Sequence, residues 1–165
     1  MDISTHATEL NTILRAMRAH QIAQGPATLE QRRDRLQRAA RLLLEQRERI
    51  AEAISKDFGQ RSRYQSLLVD VGTTAATLKH AAANVGTWMQ SEAVEAPVAG
   101  MQTRIEHQPL GVVGIISPWN FPINLAFAPL AGVFAAGNSA LIKPSELTPA
   151  TSELLAELIA VYFDP

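Results

Sequence analysis

The sequence predicts an α/β protein in which amino-terminal helices lead into a single βαβ unit, and three features carry that expectation. Val112, Val113, Ile115 and Ile116 form a short β-branched run between Gly111 and the following turn, suited to a strand buried on both faces of a parallel sheet. Residues 123–136 are nearly all apolar and read as a buried helix, stopped by Gly137 and Asn138. Residues 140–142 supply a second strand, and Lys143-Pro144-Ser145-Glu146 leaves its carboxyl end, the side on which open α/β sheets take ligands.

Taken in order, residues 1–24 carry Leu10, Ile13, Leu14 and Met17 at weak helical spacing and end at Gly25-Pro26, as expected of a peripheral docking helix. Thr28 and Gln31 stand at capping-box spacing and open a stronger helical pattern. Leu29, Leu36, Leu43 and Ile50 recur on one face of it, with Ala39, Ala40, Ala53 and Ile54 beside them, until Phe58-Gly59. Arg32, Arg33, Arg35, Arg38 and Arg41 read as a solvated face with Glu30, Asp34 and Glu45 as counter-charges.

Residues 62–90 give a second long helical pattern with Tyr64, Leu67, Leu68, Val71, Leu78, Ala82, Val85 and Met89 inward. Its small residues at 73–77 suggest close packing, and Tyr64 and Trp88 read as core aromatics rather than ligand platforms. Residues 96–100 read as a linker, and 101–107 alternate as a half-solvated strand. A final helix over 149–163 opens with proline and turns Leu154, Leu155, Leu158, Ile159 and Val161 inward. The expected divisions are 1–27, 28–95, 96–110 and 111–165.

Fifteen Lys and Arg against sixteen Asp and Glu leave a formal charge of −1, which argues against nucleic acid as a partner. Cysteine is absent, so disulfides, cysteine metal sites and a thiolate nucleophile are all excluded for these residues. His6, His20, His80 and His107 lack ligand spacing, and no metal is expected. The apolar stretch at 123–136 is shorter than the ~20 residues of a membrane span and contains Pro129, while residues 1–24 lack the apolar core of a signal peptide. A soluble cytoplasmic protein is the expectation.

Asn120 lies in a turn stiffened by Pro118 and Pro122. Two roles suit it: capping the helix that follows, or presenting a fixed amide N–H to an oxygen that gains negative charge during reaction. Lys143 and Glu146 allow either a loop ion pair or polar ligand contacts. Phe121, Leu125 and Ala128 share a helical face that could be core or could border a ligand. Gly111-Val112-Val113-Gly114 is not a G-x-G-x-x-G fingerprint.

Pro118-Trp119-Asn120-Phe121-Pro122, then Ala136-Gly137-Asn138, then Lys143-Pro144-Ser145-Glu146 with Thr148-Pro149, in this order and spacing, resemble the NAD(P)-dependent aldehyde dehydrogenases. Asp57-Phe58-Gly59 with Arg61-Ser62, and Gln108-Pro109-Leu110-Gly111, look most like the coniferyl aldehyde branch. The resemblance runs from about Leu29 to the end. It implies the first βαβ unit of a Rossmann-like NAD-binding domain, in the amino-terminal portion of a longer enzyme that oxidises an aldehyde to the carboxylic acid.

By that resemblance, Asn120 would share an oxyanion site with the backbone N–H of a cysteine nucleophile. Lys143 and Glu146 would hold the adenosine ribose, with Ser145 lining that pocket, and Ile116, Ser117, Pro118 and Trp119 would meet the nicotinamide half mostly through backbone. Phe121 and Leu125 would border the aldehyde tunnel. Glu146 argues for NAD, and Lys143 leaves room for NADP. The strand at 101–107 would belong to an oligomerisation hairpin whose partner strand lies beyond this chain, in a homodimer or larger homo-oligomer. The nucleophilic cysteine, the glutamate base, the distal cofactor glutamate and the phosphate-binding glycine turn would all lie past Pro165, leaving the chain alone inactive. The rival reading is a short noncatalytic protein that binds a nucleotide or caps an oligomer.

Overall fold

The computed structural model describes residues 3–163, with side chains from Ala7 onward, so the His6 side chain and residues 1, 2, 164 and 165, all within the expected divisions, lie outside what is described. The peripheral helix expected at the start is α1 (Ile3–Gln24), which lies against the βαβ unit and keeps Leu10 and Ile13 exposed. The capping box forms as read: Thr28 Oγ1 accepts from Gln31 N–H at 3.2 Å, and Gln31 Oε1 accepts from Thr28 N–H at 2.8 Å, at the start of α2 (Leu29–Glu45).

The long apolar repeat does not make one helix. It breaks at Gln46, whose φ of −99° and ψ of 12° leave the helical region, and resumes as α3 (Arg47–Phe58). Partners change across the break: α2 packs on later helices of the core, α3 on the carboxyl-terminal one. Leu36, Leu43 and Ile50 are nonetheless all fully buried.

The second helical pattern is interrupted as well. A short α4 (Arg63–Gln65) passes into a π-helical segment, Ser66–Gly72, and then into α5 (Thr73–Trp88). The wider π turn shifts the phase of the inward face, so that Ser66, Asp70 and Val71 are buried while Leu68 and Tyr64 are turned out. Tyr64, 80% exposed, and Trp88, which rests on His80 at 5.9 Å between ring centroids, are therefore not core aromatics. Thr74 and Ala75 are buried, in line with the close packing expected of that stretch.

Residues 101–107 do contain a strand, but its partner lies within the chain. β1 (Glu92–Val94) pairs antiparallel with β2 (Thr103–Ile105), so the expected linker is the loop of this hairpin. The βαβ unit follows: β3 (Val112–Ile116), α6 (Asn124–Ala135) and β4 (Ser139–Lys143), with the strands parallel and Ile116 opposite Lys143. The closing helix is α7 (Pro149–Tyr162), which buries Leu154, Leu155 and Leu158 but leaves Val161 exposed, against expectation.

β3 is not buried on both faces. Val113, Ile115, Ala140 and Ile142 face the core cluster, while Ile116 is 81% exposed, because α6 covers one face and the described residues supply no full layer for the other. The core joins α2, α3, α5, α6, α7 and this inner face around Phe127, Leu78 and Leu158. Each such fully buried side chain contributes about 1.5–3 kcal/mol.

α6 ends in a Schellman motif: Asn138 N–H donates to the Val133 carbonyl and Gly137 N–H to that of Phe134, with Gly137 at φ +82°. A Cβ on Gly137 would fall 2.7 Å from Arg32 Cζ. The arginine face is only partly solvated, since Arg33, Arg35 and Arg38 are half-buried, and Arg32 departs furthest from it. Arg32 is buried, donating through Nε to the Ala27 carbonyl and through Nη1 to the Ala135 carbonyl, both at 2.9 Å, and so serves the one carbonyl that follows those taken by the Schellman bonds.

Candidate functional site at the carboxyl rim of the sheet

β3 hands over to α6 through residues 117–123. Ser117 N–H closes the ladder on the Lys143 carbonyl at 3.0 Å, and Ser117 itself is buried, its Oγ directed at the Pro118 and Pro122 carbonyls. The chain then surfaces. Pro118 and Asn120 are exposed, Trp119 lies half-exposed with its ring 6.0 Å from that of Phe58, and Phe121 is half-buried.

Asn120 does not cap α6. The first N–H groups of that helix, on Ile123 and Asn124, donate to Asp70 Oδ1 at 3.3 and 3.2 Å, and Asn124 Nδ2 reaches Thr74 Oγ1 at 2.8 Å. Asp70 is wholly buried, and that burial raises its pKa above the ordinary value against the pull of the Asn124 N–H, the Arg61 charge and the Ile123 N–H. Its Oδ2 lies 3.1 Å from Arg61 Nη2, and Arg61 Nη1 donates to the Asn120 carbonyl at 2.7 Å. With the cap supplied by Asp70 and the Asn120 carbonyl occupied by Arg61, the Asn120 side-chain amide takes no hydrogen bond among the described residues.

β4 leaves the sheet one strand over. Lys143 Nζ pairs with Glu146 Oε2 at 2.9 Å and also reaches the Pro144 carbonyl; both side chains stand in solvent, and the bond to Lys143 holds the Glu146 pKa below the usual carboxylate range. Ser145 is buried. Its Oγ accepts from Leu147 N–H, and its carbonyl accepts from the Thr148 and Ser152 hydroxyls, so it braces the turn from within. The first N–H groups of α7, on Ala150 and Thr151, donate to the Asp57 carboxylate at 2.9 and 2.8 Å.

The register that sets Ile116 beside Lys143 brings the two junctions to one rim. Ile116, Pro118, Trp119 and Asn120 are exposed there with Lys143 and Glu146, whereas Ser117 and Ser145 face inward. Phe121 is committed to the Arg61 guanidinium, 4.7 Å from its ring centroid, and Leu125 and Ala128 are half-buried along α6. A concavity of about 640 Å³ between Trp88, His107 and Ala136 lies at the opposite end of α6 and touches none of these residues. No group of three or more His, Cys, Asp or Glu side chains that could hold a metal occurs among the described residues.

Asp57, Arg61 and Asp70 shape the rim, and the sequence reading gave none of them a role. Asp70 had a detectable signal: a carboxylate inside Leu67-Leu68-Val69-Asp70-Val71 must find partners if that segment is packed.

The aldehyde dehydrogenase family model matches residues 4–162. A coniferyl aldehyde dehydrogenase of Pseudomonas sp. (strain HR199 / DSM 7063) is 58% identical over 158 residues, 96% of this chain and 33% of the relative. Among solved structures, the substrate-bound state of Staphylococcus aureus AldH superposes with a TM-score of 0.88 at 29% identity, covering 99% of this chain and 35% of that one. An NAD-dependent benzaldehyde dehydrogenase from Corynebacterium glutamicum gives 0.78 at 29% identity, over 92% and 33% of the two chains. The chain thus spans about a third of the length of the relatives it matches, and its fold is that of their amino-terminal part.

Proposed function

The chain belongs to the aldehyde dehydrogenase family, and on that premise we propose that it supplies the oxyanion donor and the ribose contacts of an enzyme that oxidises an aldehyde, of the aromatic coniferyl type, to its carboxylic acid. The observation that carries this reading is Asn120: exposed at the rim, its peptide pinned and its capping role taken by Asp70, its amide remains available to a ligand. When a nucleophile adds to an aldehyde, the carbonyl oxygen becomes an alkoxide, and one fixed N–H donor at that oxygen lowers the barrier by about 3 kcal/mol.

The donor set at β4 suits a dinucleotide. Glu146 offers carboxylate oxygens to two vicinal hydroxyls and Lys143 offers three N–H donors, and both are exposed on the rim and bonded only to the loop and each other. On binding, the pair would exchange its mutual bond for the ribose of NAD, whose nicotinamide accepts hydride from the aldehyde carbon. The Glu146 charge opposes a 2′-phosphate, which favours NAD over NADP. The exposed Ile116 and Trp119 give an apolar border to the space beside Asn120.

Cysteine does not occur in the chain, so the attacking thiolate must come from polypeptide outside it and these residues alone do not turn over. The β1–β2 hairpin leaves Val94 and Ile105 exposed, which suits packing against a second copy in a homodimer or larger homo-oligomer. No helix among the described residues is long and apolar enough to cross a membrane, in keeping with a cytoplasmic enzyme. In the full-length enzyme, Asn120→Ala should lower kcat by about 100- to 1,000-fold with NAD affinity nearly intact, and an unchanged kcat in steady-state assays would remove the oxyanion role.

A further inference from the structure

Arg61 lies between α3 and α4, outside the sheet, yet its side chain is only 7% exposed and reaches the catalytic turn. Gly59 at φ +61° and Gln60 at φ +94° turn the chain back after α3, the second being the only non-glycine residue of positive φ among those described. The guanidinium then lies over two rings, 4.9 Å from the Phe58 centroid and 4.7 Å from that of Phe121. One arm donates to the Asn120 carbonyl at 2.7 Å and the other lies against Asp70, which holds the first N–H groups of α6.

We infer that Arg61 is a positioning residue for Asn120: by fixing the Asn120 peptide and the Phe121 ring together, it sets the direction in which the Asn120 amide leaves the turn. The inference rests on the reading of Asn120 as an oxyanion donor. The simpler role, neutralising Asp70, needs only a point charge. It does not call for a flat cation set over two rings while a second arm of the same fork bonds a neighbouring backbone carbonyl, and that combination distinguishes arginine from lysine. A displacement of the donor by even 1 Å is enough to cost up to about 100-fold in rate.

The test uses the full-length enzyme. Arg61→Lys keeps a cation beside Asp70 while losing the planar stack and the fork. It should lower kcat about tenfold or more while the aldehyde KM and NAD affinity stay within about twofold. Asn120→Ala should then cost far less in the Arg61→Lys background than in the native one, because the amide is already misdirected. If Arg61→Lys does not fold, Arg61→Met with Asp70→Asn carries the same cycle, since it strands no buried charge and keeps an acceptor for the Ile123 and Asn124 N–H groups.

Native kcat in the Arg61 variant, with a damaging Asn120→Ala, overturns the role of Arg61 and leaves the oxyanion reading standing. Strictly multiplicative losses from the two substitutions also overturn it, placing the Arg61 effect elsewhere. A harmless Asn120→Ala overturns the oxyanion reading itself, and the role of Arg61 with it.

Discussion

At the β3–α6 junction, the turn is held by Arg61 and Asp70, 59 and 53 residues upstream, both buried and both acting on its backbone. At the β4–α7 junction the turn is braced by its own Ser145, Thr148 and Ser152, a remote carboxylate reaches only the helix behind it, and Lys143 and Glu146 remain in solvent. On the roles proposed above, the contrast follows the demands on each. A donor to a developing alkoxide must stand in place before reaction, because any reorganisation adds to the barrier. A ribose contact can be gathered when the ligand arrives, since its cost falls on binding alone.

The largest expected effect tests the rigid junction. Asp70→Ala removes the acceptor for two N–H groups and leaves Arg61 buried without a counter-charge, so urea unfolding should show a loss of about 3–5 kcal/mol. A loss below about 1 kcal/mol would mean that the clamp is not structural. The corresponding change at the second junction, Asp57→Ala, should cost only about 1–2 kcal/mol, as a cap on a more accessible helix end. Equal losses at the two sites would erase the comparison.

Glu146→Gln sharpens it from the side of function. The melting temperature should not move, because the side chain is solvated, while NAD affinity of the full-length enzyme, measured by titration calorimetry, should weaken about tenfold. The smallest effect is one of pH. Because burial raises the Asp70 pKa above 3.8, the folded chain holds that proton more tightly than the unfolded one. The group's contribution is therefore fully present below 3.8 and is lost as pH rises through the raised value. Asp70→Asn removes this titration, so the variant's stability relative to the native chain should rise with pH across that window in urea melts. A difference independent of pH would show that burial does not govern this carboxyl.

Local rules made much of the fold legible. The Thr28 box, the βαβ order, the stop at Gly137 and the proline-led last helix all depend on neighbours within a turn or two in sequence. Helices depart from their sequence pattern where their phase is reset. A break at Gln46 and the π segment after Gln65 cannot be read from apolar spacing that assumes one unbroken period, so Tyr64 and Leu68 were assigned to the wrong face. Arg32 likewise looked like its neighbours in sequence, and only its nearness to the end of α6 sets it apart.

By itself the sequence determined the kinds of residue at the rim: an amide locked between prolines, and a lysine and a glutamate leaving a strand end, because these are properties of adjacent residues. Which of them is free to act was decided only by tertiary structure. Asp70 displaces Asn120 from the helix end, Arg61 holds its peptide, and Ser117 and Ser145 turn inward. The physical reason is that a buried carboxylate and a buried guanidinium must each find partners wherever the fold places them, and those partners lie too far along the chain for any sequence window to pair them.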